Sequence, residues 1–157
     1  TSNQPLGIMA TSGISEITFG GAPTWAKVLD IEDACAVRAG GSYAFITTST
    51  VREKWKQTAK ASGDRFIWDS DKSDPAGYGQ VAGYAACATG NMDGTSDKIV
   101  FGNWRDLVIG IFGAVDVLPD PFTLGTSGKL SLTYILNYDI GVRHPESFVR
   151  SADSAAQ

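Results

Sequence analysis

The sequence predicts an α+β fold made of short strands, two helices and one much longer strand. Two stretches have the apolar spacing and end residues of helices, several short apolar segments lie between glycine-rich turns, and residues 129–143 alternate regularly in polarity. The chain has 157 residues, of which 43% are apolar and 19% are charged. This is the size and composition of one globular domain, so a mostly disordered chain is excluded.

The charge balance argues against a protein that binds nucleic acid without regard to sequence. The chain has 13 basic and 17 acidic side chains, for a net charge of −4, whereas proteins of that class normally have a basic surface. Six of the basic residues lie between Arg52 and Lys72, together with four carboxylates. This mixture is typical of a solvated helix face, and a basic contact patch is the alternative.

Cysteine use and hydropathy predict a soluble, intracellular protein with no membrane partner. Cys35 and Cys87 are too few and too far apart in sequence for a disulfide scaffold or a metal-ligand cluster, and we interpret them as buried free thiols. There is no N-glycosylation sequon and no signal peptide. The longest strongly apolar run, residues 107–115, is far too short to cross a bilayer. A chain that begins at Thr1 is expected to be processed or a fragment.

The first predicted helix follows a short strand. We expect that strand over residues 14–19, in a lead-in rich in glycine, serine and threonine. Thr24 is a suitable N-cap, and apolar side chains recur at helical spacing from Trp25 to Cys35. The helix is therefore predicted to start near Pro23–Thr24, since proline also suits a first helical position, and to end at the Gly40-Gly41 pair.

The second predicted helix follows a buried strand over residues 42–48. Thr50 and Glu53 have the spacing of a capping box, in which each side chain accepts a hydrogen bond from an otherwise unpaired backbone N–H. The helix is predicted to begin at Thr50 and to end at Gly63, with Trp55 on its inward face.

Short strands and turn-rich loops follow. Strands are predicted over residues 66–68, 81–89 with an irregularity at Gly83, and 99–101. Polar loops are predicted over residues 69–79 and 90–97. A last short strand is predicted over residues 147–150, and we expect the small polar residues after it to be frayed.

The stretch before that last strand is the most informative about function. Residues 107–117 are largely apolar, and the segment Pro119-Asp120-Pro121 ends them. Residues 129–143 then alternate: all seven side chains at every second position from Leu130 to Val142 are apolar, against one of the seven from Ser131 to Arg143. A strand of that length spans about 50 Å, against about 5–6 residues for a usual strand. A ribbon this long suits a protein that reaches across to neighbouring molecules.

The motifs do not reveal a catalytic, cofactor or metal site. The glycines at 77, 79 and 83 are spaced one residue too widely for a nucleotide loop, and the segment from Asp69 departs from a calcium loop at its sixth and twelfth positions. We interpret His144, the only histidine, as a surface or structural residue, and the four tryptophans as core. Nothing selects a catalytic carboxylate pair from 17 acidic residues, so a small carboxylate-based hydrolase domain stays as an alternative.

Short segments in a particular order connect this chain to a known family. Near the end of the chain these are Phe101-Gly102-Asn103-Trp104, Asp120-Pro121-Phe122, Asp139-Ile140-Gly141-Val142 and Pro145-Glu146-Ser147-Phe148-Val149. Upstream they are Gln4-Pro5-Leu6-Gly7-Ile8, Tyr43-Ala44-Phe45-Ile46 and Gly83-Tyr84. Together they resemble the major capsid proteins of tailed phages of the Hong Kong type, with Ala85 in place of an expected proline.

The resemblance implies an arrangement of these elements. Residues 15–106 and 141–152 would form an axial-domain-like core, a mixed sheet flanked by the two helices, and residues 107–140 a peripheral-domain-like antiparallel β-ribbon. Residues 1–157 would be one fragment of a capsid protein, with the family's N-terminal arm, extended loop and spine helix lying before Thr1. A polar loop would lie near the capsomer axis, and it contains Asp69, Asp71, Lys72, Asp74 and Tyr78.

The function implied by the resemblance is that of a structural subunit of an icosahedral phage or prophage shell. Such a subunit assembles with other capsid subunits as hexamers and pentamers in the bacterial host cytoplasm, encloses DNA without sequence-specific binding, and ends in the virion capsid. We expect no enzyme activity and no cofactor. Some relatives of this kind cross-link their subunits through a lysine, an asparagine and a catalytic glutamate. The resemblance implies no such cross-linking here, since no glutamate lies between Glu53 and Glu146 to supply that acid. An encapsulin-like shell protein is a further alternative.

The resemblance also implies how this chain behaves alone. It is expected to be soluble, because it has its own core, but unable to close a shell. Residues 107–117 are expected to leave an apolar strip exposed.

Overall fold

The computed structural model describes residues 7–35, 40–61, 65–70, 74–92, 98–151 and 153. Within these residues the chain forms two α-helices and eight β-strands, which confirms the α+β class. The helices are α1, Trp25–Ala34, and α2, Ser49–Gln57. The strands are β1 Ser15–Glu16, β2 Tyr43–Thr47, β3 Tyr78–Val81, β4 Tyr84–Ala88, β5 Ile99–Asn103, β6 Leu107–Asp120, β7 Ser131–Val142 and β8 Phe148–Ser151.

Six strands form one mixed sheet, and the other two form a separate ribbon. The order in the sheet is β1-β8-β5-β2-β4-β3. Strand β1 is parallel to β8 and β2 is parallel to β4, whereas the remaining neighbours are antiparallel. Strands β6 and β7 pair antiparallel with each other. The chain leaves β5 for the ribbon through a 3₁₀ turn at Trp104–Asp106 and returns to β8 through another at Pro145–Ser147.

The main core lies between the two helices and one face of the sheet. Trp55 of α2 packs edge-on against Phe45 of β2. Phe45 in turn stacks on Phe101 of β5, with ring centroids 4.2 Å apart. Ile31 of α1 and Trp68 are buried in the same cluster. These two tryptophans therefore belong to the core, as the sequence analysis predicts.

Helix α1 begins as predicted but ends earlier. The Thr24 hydroxyl accepts a hydrogen bond from a backbone N–H of the first turn at 3.4 Å, so Thr24 is the N-cap. The last helical residue is Ala34, and Cys35 has an extended conformation. The predicted end at Gly40-Gly41 is therefore wrong. The buried Cys35 Sγ donates a hydrogen bond to the Ser147 carbonyl at 3.2 Å, a tertiary contact that local sequence does not reveal.

Helix α2 begins and ends before its predicted limits. Its N-cap is Thr48, so the capping box predicted at Thr50 does not start the helix. The last helical residue is Gln57 rather than Gly63, which lies outside the described residues. The chain turns back soon after the helix, where the Ile67 N–H donates to the carbonyl oxygen of Thr58, the C-cap, at 2.9 Å.

The segment predicted as one strand over residues 81–89 is two strands joined by a tight turn. The turn residues Ala82 and Gly83 have φ of +53° and +82°. Two consecutive positive φ angles are typical of the type I′ hairpin, whose twist matches that of paired strands. Strand β3 also begins inside the segment predicted as a loop, and residues 66–68 form an isolated bridge at Phe66 rather than a strand.

Motif residues behind the family resemblance have structural roles. A Cβ on Gly102 would lie 2.3 Å from the Phe148 ring, so only glycine fits this position of β5 without rearrangement. The Asn103 side chain accepts a hydrogen bond from a backbone N–H of the next 3₁₀ turn at 3.3 Å. The Trp104 indole N–H donates to the Ala44 carbonyl at 3.0 Å. This motif therefore joins β5 to β8 and β2.

The segment before α1 is fastened to β8. The Ile17 N–H donates to the Arg150 carbonyl at 3.0 Å. The Arg150 guanidinium pairs with the Glu16 carboxylate at 3.0 Å and also donates to the Met9 carbonyl. Arg150 therefore holds the strand β1 and the turn before it against the edge of the sheet.

Replacing Asp153 by alanine is expected to lower the free energy of unfolding by about 1–2 kcal/mol. Its carboxylate accepts hydrogen bonds from the backbone N–H groups of Phe19 and Gly20 at 3.1 and 3.2 Å, and from the Ser151 hydroxyl at 2.9 Å. Partial burial raises the pKa of Asp153, but these donors outweigh it, so the pKa lies below its ordinary value of 3.8.

The stabilisation by Asp153 is expected to depend on pH. Because the pKa of its carboxyl is lower in the folded chain than in the unfolded chain, the contribution is fully present at neutral pH. It is lost as the pH falls through the folded-state pKa. Urea unfolding of the native protein and the Asp153→Ala variant, at neutral and at strongly acidic pH, measures the difference. A gap of equal size at both pH values would contradict this origin.

Candidate assembly surface

One face of the ribbon is apolar throughout. The two residues of each pair across β6 and β7 have their side chains on the same face of the ribbon. The next pair along the strands has its side chains on the opposite face. The apolar ribbon face, as we call it, consists of the pairs Leu107–Val142, Ile109–Ile140, Ile111–Tyr138, Val117–Tyr134 and Pro119–Leu132. Ile111 is 64% exposed and Tyr138 is 51% exposed. The apolar strip expected over residues 107–117 is therefore present.

A bulge in β6 does not interrupt the apolar ribbon face. Between the pairs Phe112–Asn137 and Asp116–Ile135, β6 has three residues where β7 has one. Because side chains alternate with a period of two, two additional residues in β6 leave the side chains after the bulge on the same faces as those before it. Gly113, the first residue of the bulge, has a φ of +81° that favours glycine.

The apolar ribbon face continues onto the side of the sheet that faces away from the helices. Ile14, Val100 and Phe148 form a small cluster there, and Leu107 and Val142 at the base of the ribbon pack against it. Beside the cluster is an open cavity of about 480 Å³. Most of its lining is apolar and includes Ile8, Met9, Ile46, Met92, Trp104 and Ile140. One apolar surface thus extends from the sheet to the ribbon.

The tip of the ribbon has an exposed phenylalanine on a hydrogen-bonded turn. The Asp120 carboxylate accepts hydrogen bonds from the Thr123 hydroxyl and from the backbone N–H groups of Phe122 and Thr123, the latter two at 2.8 and 3.2 Å. These bonds, the one from the Thr123 hydroxyl above all, lower the pKa of Asp120. Phe122 is 89% exposed. A large apolar side chain in this position is suited to contact another molecule.

The residues predicted at the capsomer axis come together only in part. Asp69, which pairs with Lys60 at 2.9 Å, lines a small recess of about 90 Å³ together with Asp74. Asp74 and Tyr78 line a recess of about 180 Å³, in which Asp74 is half-buried and Tyr78 is exposed. The other two members of the predicted loop lie outside the described residues: Asp71 and Lys72.

Two basic side chains that were not among the residues predicted at the capsomer axis also line the recess of about 180 Å³. Arg52 and Lys56 of α2 are four residues apart, so they lie on one side of the helix. Both line the recess with Asp74 and Tyr78. The signal was present in the run of basic residues from Arg52, which we interpreted as a solvated helix face with a contact patch as the alternative.

The reactive side chains that the structure describes include a histidine and a buried cysteine. His144 is on the surface, 3.8 Å from the Glu146 carboxylate. Burial raises the pKa of the Cys35 thiol to about 11, which disfavours the reactive thiolate. No three His, Cys, Asp or Glu side chains among these residues lie close enough together to hold a metal ion. No helix among them is long and apolar enough to cross a membrane.

The architecture is that of capsid and encapsulin proteins. The capsid of an empty GTA particle matches with a TM-score of 0.66 at 17% identity, over 97% of this chain and 57% of that chain. The holo-SrpI encapsulin complex from Synechococcus elongatus matches with a TM-score of 0.65 at 13% identity, over 96% of this chain and 57% of that chain. Both likenesses confirm the predicted fold.

Sequence comparison narrows this class. The phage capsid family matches residues 1–151, and the major capsid protein of Halomonas phage phiHAP-1 is 30% identical over 98% of this chain. The chain belongs to the phage capsid family, which confirms the resemblance drawn from its motifs. It spans 24% of the length of the Halomonas phage protein and 57% of the GTA capsid chain.

Proposed function

We propose that this chain is the shell-building part of a major capsid subunit, which assembles as hexamers and pentamers into an icosahedral phage or prophage shell. The observation that carries this proposal is the continuous apolar surface from the cavity beside Val100 to Leu132 on the ribbon. A protein that works alone rarely exposes apolar surface of this extent, so a partner covers it. Membership of the phage capsid family makes other subunits of the same shell the natural partners.

The two parts of the fold support a division of roles within such a subunit. Residues 15–106 and 141–152 form an axial-domain-like core, whose contacts build the capsomer ring. Residues 107–140 form a peripheral-domain-like ribbon, which reaches neighbouring subunits through its apolar face and Phe122. The polar loop beside Asp74 and Tyr78 lies at the capsomer axis in this arrangement, where a hydrated contact suits its composition.

In this proposal the protein has a structural role and no catalytic one. It is assembled in the bacterial host cytoplasm and resides in the virion capsid, with no membrane partner. It encloses DNA without sequence-specific contacts, which the net charge of −4 supports because sequence readers and backbone binders alike use basic side chains.

An encapsulin-like shell is the second candidate. It is favoured by the fold likeness to the SrpI encapsulin, whose TM-score of 0.65 is close to the 0.66 of the GTA capsid. The 30% identity to a phage major capsid protein favours the phage shell over it. A hydrolase has less support, because among the described residues the charged side chain that lines the apolar cavity is that of Lys98 and not that of an acid.

Negative-stain electron microscopy of the complete gene product that contains this chain tests the proposal. Closed particles without captured cargo protein are expected. Particles that copurify with one host protein would favour the encapsulin-like shell, and a monomer with hydrolytic activity would contradict both shells.

The chain of residues 1–157 alone is expected to be soluble and unable to form closed particles. Its own core is expected to suffice for folding, but the capsid chain of the GTA particle is longer, and this chain spans 57% of it. Light scattering and negative-stain imaging beside the complete product measure this. Closed particles from these residues alone would contradict the assignment of 1–157 as one part of a larger assembly unit.

A further inference from the structure

The two helices have opposite charge. Helix α1 has three carboxylates and one lysine, whereas α2 has three basic side chains and one carboxylate. In α1, Asp30 pairs with Lys27 at 3.7 Å, which leaves Glu32 and Asp33 as its excess negative charge. In α2, Arg52 and Lys56 line the recess of about 180 Å³. We call Glu32 and Asp33 the acidic end, and Arg52 and Lys56 the basic recess.

Contacts place the acidic end and the basic recess at opposite ends of β4. The Tyr84 hydroxyl, on the first residue of β4, donates to the Glu32 carboxylate at 2.9 Å. Arg52 lies beside Gly77, whose carbonyl accepts a hydrogen bond from the N–H of Ala88, the last residue of β4, at 2.8 Å. Five residues of extended strand separate the two ends by about 13 Å. The two charge clusters are therefore too far apart to pair with each other within one subunit.

The other described charges near each end balance one another. Arg105 and Asp106 lie in the 3₁₀ turn near the start of β2, and the Arg143 N–H donates to the Asp106 carbonyl at 2.8 Å. Glu146 lies in the turn whose last carbonyl accepts the hydrogen bond from the Cys35 thiol. The surroundings of the acidic end therefore contain two arginines and two further carboxylates. Around the basic recess the accompanying charges are three basic side chains and three carboxylates: Lys54, Lys60, Arg65, Glu53, Asp69 and Asp74.

We propose that the acidic end of one subunit docks into the basic recess of the next, head to tail. The partner is a second copy of this chain, so the inference rests on the proposed shell function and names a contact within its ring. A contact between two different patches of identical subunits generates a ring when its rotation closes. Complementary charge of this kind sets the register and orientation of neighbours more than it adds affinity.

Carbodiimide cross-linking tests the contact directly, because the reagent joins a carboxylate to an amine that it touches. A mixture of ¹⁴N-labelled and ¹⁵N-labelled chains separates links between copies from links within one copy. We expect mixed-isotope peptides that join Asp33 to Lys56, with a yield that falls as salt shortens the Debye length from about 10 Å at 0.1 M to about 3 Å at 1 M. If no such peptide forms at any protein concentration, the inference is overturned.

Charge exchange gives an independent test by sedimentation. Asp33→Lys and Lys56→Glu are each expected to weaken self-association roughly fivefold, since attraction is replaced by repulsion at every contact. The double variant is expected to recover self-association, because each contact again joins one positive and one negative side chain, with the two charges exchanged. Asp33 and Lys56 are exposed, so the fold is retained.

Lys129→Glu is the matched control, with the same change of charge at an exposed site on the ribbon loop. Equal weakening by this control, or no recovery in the double variant, would overturn the contact. Closed particles of the complete gene product without this cross-link would support the shell function and contradict only the docking contact. Absence of particles would instead contradict the shell function.

Discussion

A charged pair on the apolar ribbon face is expected to abolish assembly without unfolding the subunit. Ile111 and Tyr138 face each other across β6 and β7, and both are exposed. The variant Ile111→Lys/Tyr138→Glu retains a cross-strand pair of opposite charge, which stabilises paired strands by roughly 0.2–1 kcal/mol. It removes two apolar side chains, whose burial by a neighbour is worth about 1.5–3 kcal/mol each. The association constant should fall at least about 100-fold.

The same charges on the other face of the ribbon provide the control. Phe112 and Asn137 are the next pair along the strands, and Phe112→Lys/Asn137→Glu places the charges on the mixed face. This variant is expected to lose less of its assembly than the Ile111→Lys/Tyr138→Glu variant does. Sedimentation and negative-stain imaging compare assembly, and thermal unfolding checks that both variants fold. Equal loss of assembly in the two variants would show that the apolar ribbon face has no special role.

Gly102→Ala is expected to lower the free energy of unfolding by about 3 kcal/mol, the upper part of the usual range for overpacking. A Cβ at this position of β5 would lie 2.3 Å from the Phe148 ring and 2.5 Å from the Ser147 carbonyl oxygen. The ring is fully buried and the carbonyl belongs to the backbone, so neither atom moves without disturbing the β5–β8 pairing. For a chain of this length the midpoint of thermal unfolding should fall by about 6–12 °C.

Gly141→Ala is the matched control, because Gly141 belongs to another motif of the resemblance but has nothing within 4 Å of its added Cβ. A change within about 0.5 kcal/mol is expected there. Denaturant unfolding of the two variants beside the native protein measures both effects. Similar stability of the two variants would mean that the approach of Phe148 to Gly102 is not tight.

Elements with strong local signals could be predicted from the sequence. Thr24 caps α1 because capping depends on residues one turn apart, and the strict alternation over residues 129–143 defines β7 because a period of two is also local. Helix ends could not be predicted in the same way. Helix α1 ends at Ala34 and not at the glycine pair that follows it in the sequence. The next residue, Cys35, contacts Ser147, which is distant in the sequence.

The β3–β4 hairpin shows a second limit. Its turn residues, Ala82 and Gly83, lack the Asn-Gly or Asp-Gly pair that usually marks a type I′ turn. A single glycine in an apolar stretch is equally compatible with an irregular strand, which is what we predicted over residues 81–89. Pairing with β2 on the other side of β4 supplies the information that the turn sequence lacks.

The sequence by itself determined the α+β class, the family and the long apolar strand, because each depends on composition, local periodicity or the order of short motifs. The tertiary structure alone decided two features. The basic recess forms only when the start of β3 folds onto Arg52 and Lys56. The apolar surface becomes continuous only because Val100 faces away from the helices, and the face on which a strand residue lies is set by pairing and register rather than by its own side chain.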